Sequence, residues 1–68
     1  MKNTLPPKPP THPNVTPEMI EAGAIAIWEG ETYHDTRWEF LRVKTQEIVR
    51  QQVQTILVAA ELVREAGA

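Results

Sequence analysis

The sequence predicts an all-α protein: a short helix and a long helix folded as a hairpin behind a proline-rich arm, completed by a second copy in a dimeric four-helix arrangement. Three observations lead there. Five of the six prolines fall within residues 1–15. Residues 16–30 begin with a helix-start signal, Thr16-Pro17-Glu18, and end on Gly30. From Thr36 to Ala66 there is neither glycine nor proline, and apolar residues recur at spacings of three and four. The division that follows is an arm, 1–15, and a helical hairpin domain, 16–68.

The arm contains Pro6, Pro7, Pro9, Pro10 and Pro13. Prolines at this density block helix, remove backbone donors and favour extended polyproline II. Only Met1, Leu5 and Val15 offer apolar surface, so a disordered or extended tail is expected, and its deletion should leave the melting temperature nearly unchanged. Two PxxP registers, Pro6–Pro9 and Pro7–Pro10, leave open a polyproline ligand for an SH3-type groove.

Helix one is placed at 17–29. The Thr16 hydroxyl can accept from an orphan amide of the first turn, Pro17 loses no hydrogen bond there, and Glu18 faces the positive end of the helix dipole. Val15 and Ile20 are spaced for a hydrophobic staple. Met19, Ile20, Gly23, Ala24, Ile27 and Trp28 follow helical spacing, and Gly30 supplies a stop. Gly23 costs about 1 kcal/mol relative to alanine inside a helix. With Ala22, Ala24 and Ala26 it forms a smooth patch on which another helix can approach closely.

Residues 31–35 are the connector. Thr36-Arg37-Trp38-Glu39 fits a capping box, so helix two is placed at 36–66, about 31 residues and ~46 Å. Val49, Val53, Ile56, Ala60 and Val63 are spaced 4, 3, 4, 3, a helix-pairing seam. A flanking row runs through Trp38, Leu41, Thr45, Ile48, Gln52, Thr55, Ala59 and Leu62. Around Leu57 the helix is apolar on every side, and such a segment must be covered on every side. Helix one, ~20 Å long, reaches less than half of helix two. The bare remainder exceeds what soluble monomers usually expose, and a homodimer through Val49, Val53, Ile56, Leu57, Ala60 and Val63 would bury it. Ile56→Asp should then unfold or monomerise the protein. A third helix made by the last turns is the competing arrangement, but no glycine, proline or cap marks the break.

Size and composition narrow the function. At 68 residues without cysteine, disulfides, thiol catalysis and cysteine-based zinc sites are excluded, which leaves oligomerisation as the staple for so small a core. A net charge of −2 gives no general attraction to nucleic acid or anionic membrane. The longest apolar run, Ile56–Ala60, is far short of a membrane span, and the N-terminus lacks the apolar stretch of a secretory signal, so a cytoplasmic protein is expected. No cofactor is implied.

Candidate surfaces remain. Glu18, Glu21, Glu29, Glu31 and Asp35 make helix one and its loop acidic, either a solvated face or a mimic of a phosphate track. Arg42, Gln46, Arg50 and Gln54 recur every four residues as a mildly basic row. Glu31, His34 and Asp35 could weakly hold a divalent ion or form an acid/base pair, but no nucleophile or enclosing pocket accompanies them, so no enzyme is expected. Trp28 and Trp38 are expected to clamp the hairpin. Phe40, off the main stripe and near Tyr33, is the best placed aromatic for a foreign protein.

The run Thr16-Pro17-Glu18-Met19-Ile20-Glu21-Ala22-Gly23, with the Gln/Arg/Ala-rich helix over 45–66, resembles small uncharacterised proteins of tailed phages and prophages. That resemblance implies an accessory protein in the host cytoplasm that binds a host enzyme, regulator or defence complex. On this reading Phe40, Tyr33, Glu31, Asp35, Arg42 and Arg50 are the candidate partner-binding residues. The rival is a small dimeric nucleic-acid-binding regulator using the Arg42/Arg50 row, and a structural subunit of a particle is the third reading.

Overall fold

A computed structural model of the chain describes residues 8–30 and 36–67. They form two α-helices, α1 (Pro17–Gly30) and α2 (Val43–Gly67), with a 3₁₀ turn at Trp38–Phe40 between them. The all-α hairpin of one short and one long helix is therefore present.

α1 begins as its sequence dictates. The Met19 amide donates to the Thr16 hydroxyl at 3.2 Å, and the Ile20 amide donates to the Thr16 carbonyl at 3.1 Å, so the cap and the first helical bond share one residue. Pro17 occupies the first helical position, where its missing N–H is not needed.

α2 departs from expectation at its start. The capping box at Thr36 and Glu39 does not open the helix. Residues 38–40 make a 3₁₀ turn, Leu41 is extended at φ −73°, ψ 151°, and the helix begins at Val43. The reason lies in Trp38. Its indole is buried against α1, and its backbone N–H donates to the Glu29 carboxylate at 3.2 Å. A continuous helix from 36 would carry this ring along the α2 axis; breaking the chain at Leu41–Arg42 lets the ring turn inwards. The Gln46 side chain then donates to the Trp38 carbonyl at 2.8 Å, and the Gln46 backbone N–H donates to the Arg42 carbonyl at 3.0 Å.

The two helices meet at Gly23 and Val53. A Cβ placed on Gly23 would lie 2.9 Å from Val53 Cγ1, so the smooth patch predicted on α1 is where α2 comes closest. Ala24, Trp38 and Val53 are buried here, and Ile20, Ile25, Trp28, Leu41, Val49 and Leu57 pack around them. The expected tryptophan clamp is present, with the Trp28 indole donating to the Thr36 carbonyl at 2.7 Å.

Residues 8–12 carry no helix or strand and residues 12–15 make a turn, in which the Val15 amide donates to the His12 carbonyl at 3.0 Å, but residues 8–15 are not a free tail. The Gln54 amide donates to the Pro10 carbonyl at 2.8 Å, and Asn14 donates to Glu61 at 3.1 Å. His12 Nε2 meets Glu65 at 2.8 Å. Because the Asn14 backbone N–H donates to His12 Nδ1 at 3.0 Å, that nitrogen must carry a lone pair, which makes Nε2 the donor towards Glu65. Val58 lies on the α2 face bounded by Gln54, Glu61 and Glu65 and is only 2% exposed. Residues 10–14, bonded to those three side chains, are the part of the chain that lies along this face. Sequence composition alone does not reveal this attachment, because the contacts join residues more than forty positions apart.

Candidate interaction surfaces

Glu21 sits at the centre of the polar geometry. Its carboxylate accepts from Arg50 Nε at 2.7 Å and from the Trp38 indole at 2.9 Å, while the Arg50 guanidinium lies 5.5 Å from the Trp38 ring centroid. The Arg50 guanidinium, and secondarily the Trp38 N–H, holds the Glu21 carboxyl below its ordinary pKa. Glu47 also approaches Arg50, at 3.6 Å. The Arg42/Arg50 row expected from the sequence is therefore broken: Arg50 joins α2 to α1, and Arg42 stands exposed at the head of α2. A second pair, Arg64 with Glu61, lowers the Glu61 pKa, with Asn14 adding to it.

These charges are structural. A cleft of about 400 Å³ opens between the arm and both helices, lined among others by Ile20, Glu21, Glu47, Arg50 and Gln54. Its volume falls within the range of small-molecule sites. Its ions, however, are paired with one another, and neither histidine nor serine lines it. Among the described residues no three histidine, aspartate or glutamate side chains gather to hold a metal. The loop trio Glu31, His34 and Asp35, and Tyr33 beside them, lie outside the described residues.

Among the described residues, and apart from Met19 and Ile27 on α1, exposed large apolar side chains form two groups. The first is a knob at the head of α2: Phe40 is 71% exposed and Val43 73%. The knob is fixed from within. Phe40 lies between buried Trp38 and half-buried Leu41, and its amide donates to the Arg37 carbonyl at 3.0 Å. Arg37, Arg42 and Lys44 lie close to it in sequence, all exposed, with Glu39 the single carboxylate in residues 36–44 and Glu29 of α1 approaching Arg37 at 3.9 Å.

The second is the outer face of α2, where Ile48, Ile56, Leu62 and Val63 are 52%, 61%, 53% and 72% exposed. The expected pairing seam divides here. Val53 is buried inside the hairpin and Val49 and Leu57 pack against that core, so these three belong to the protomer's own interior. Ile56, Ala60 and Val63 are exposed, together with Ile48, Thr55, Ala59 and Leu62 of the flanking row. The expected single seam is two faces, one turned to α1 and one to solvent. The uncharged flanking row held the signal for the second.

No protein-family model, no characterised protein and no solved structure matches the chain. No helix among the described residues is long and apolar enough to cross a membrane.

Proposed function

We propose that this chain is a small non-catalytic interaction module, a phage accessory protein that binds and modulates a host protein through the Phe40 knob. The observation that carries the binding surface is the exposure of Phe40 on a turn pinned from behind by Trp38. An aromatic ring has few rotatable bonds to freeze on docking, and such rings dominate binding energy when they fill a partner's pocket. Arg37, Arg42 and Lys44 supply a polar, positive rim suited to a partner with an acidic margin. The phage setting is supported by the sequence resemblance over residues 16–28 and 45–66, and inhibition of the bound host protein is the outcome that setting implies.

The rival nucleic-acid reading loses Arg50, which is engaged by Glu21, but retains the basic rim around Phe40. Tagged wild-type chain and Phe40→Ala are passed over a host lysate, and the retained proteins are quantified by mass spectrometry. A protein bound by the wild type and lost at least tenfold by Phe40→Ala is the expected result. Identical retention by both would sink the knob, and retention on DNA that weakens steeply with salt would favour the rival.

A further inference from the structure

We infer that two copies of this chain pair through the outer face of α2, with Ile48, Thr55, Ile56, Ala59, Leu62 and Val63 at the contact. In the protomer α2 is covered on one side by α1, through Val49, Val53 and Leu57, and on another by residues 10–14, bonded to Gln54, Glu61 and Glu65. Pro9 only borders the remaining side, at Ile48, Gln51, Gln52 and Thr55. The remaining side carries no charge from Thr45 to Ala66. The five charged residues of that stretch, Glu47, Arg50, Glu61, Arg64 and Glu65, all project from the other half of the helix by its 100° periodicity. A face without charge offers nothing for an acidic or basic partner to recognise. Set against its own copy, it buries no ion and meets no like charge.

Three further features fit a second copy. Ala59 and Ala60 are small and exposed, so two backbones can approach there. Gln52, the most polar side chain on the face, carries both a donor and an acceptor, so two symmetry-related amides can satisfy each other; a purely apolar partner would leave them unmet. Thr55, the other polar residue there, already donates its hydroxyl to the Gln51 carbonyl, so Gln52 is left as the polar group that can fix register. Finally, four aliphatic side chains at least half exposed, with the alanines, Thr55 and Gln52, present on the order of 500 Å² per copy, or roughly 1,000 Å² in a pair, about the minimum for a specific interface. The dimer is therefore expected to be reversible, forming in the micromolar range. The face is separate from the Phe40 knob, so this inference does not depend on the proposed host partner.

The test is light scattering after size exclusion on the full chain, loaded at about 10 to 500 µM so that weak association is sampled. The mass should climb from 7.7 kDa towards twice that value with concentration. Ile56→Glu should raise the dissociation constant at least tenfold while keeping the helical circular dichroism, because Ile56 lies outside the core. Leu62→Lys serves in the same role if Ile56→Glu fails to fold, and Phe40→Ala should dimerise like the wild type. A wild-type mass fixed at 7.7 kDa throughout would overturn the proposal. So would folded Ile56→Glu or Leu62→Lys that dimerises as the wild type does.

Discussion

Gly23 of α1 and Val53 of α2 stand so close that a single added carbon would intrude: a Cβ on Gly23 would lie 2.9 Å from Val53 Cγ1. Valine in a helix is held in essentially one rotamer, so this methyl has little room to yield. The glycine that looks like a weak point of α1 is what permits the two helices to touch.

Gly23→Ala should therefore destabilise the protein although it raises helix propensity. The propensity gain is about 1 kcal/mol, against an overpacking cost of typically 1–3 kcal/mol. A net loss of about 1 kcal/mol lowers the melting temperature by roughly 4–8 °C in a domain of this size. The double variant Gly23→Ala/Val53→Ala should show positive coupling, since the new methyl then meets no Cγ1. Thermal melts of the four proteins check this; additive effects would mean the close approach carries no strain.

The Glu21–Arg50 pair predicts a pH dependence. Arg50, then Trp38, depresses the folded-state pKa of Glu21 below its ordinary 4.5. A depressed carboxylate contributes stability that is present above the unfolded pKa and is lost as pH falls through the folded value. The side chain is 40% exposed, so water screens part of the effect. Wild type should exceed Glu21→Gln in urea resistance at pH 7, and the gap should close on acidification below the ordinary carboxylate pKa. A gap of the same size at pH 3 would show that the ion pair is not its origin.

Removing residues 1–14 should now cost stability, contrary to the expectation for a free tail. The truncation uncovers Val58 and removes the bonds of Pro10, His12 and Asn14 to α2. Uncovering one valine costs about 1.5–2 kcal/mol, and each exposed hydrogen bond adds up to about 1 kcal/mol. Differential scanning calorimetry of the truncated chain should show a fall of at least several degrees, and an unchanged transition would detach the arm from the core.

Local chemistry was legible in the residues themselves. Thr16-Pro17-Glu18 set the start of α1, Gly23 marked the close approach, and Trp28 with Trp38 marked the clamp, because each works through near neighbours or a special side chain. The start of α2 departs from the sequence pattern because Thr36 and Glu39 satisfy a local capping rule, whereas Trp38 answers to a tertiary demand, its bonds to Glu21 and Glu29. The arm departs from it for a related reason. Its prolines describe its conformation and say nothing of what lies beside it. At the pairing seam, spacing identified apolar rows on α2 without assigning them to neighbours, so Val53 and Ile56 were placed together though one faces α1 and the other faces solvent. Ile56→Asp is accordingly expected to disturb self-association and leave the hairpin folded.

The most direct measurement is a dilution series followed by ¹H–¹⁵N correlation spectra, which report each amide separately. The amides of Ile48, Gln52, Thr55, Ile56, Ala59, Leu62 and Val63 should shift together with concentration, while those of Gly23, Ala24 and Phe40 stay still. Spectra independent of concentration, or shifts centred on the positions that face α1, Val49, Val53 and Leu57, would contradict pairing through the uncharged face of α2.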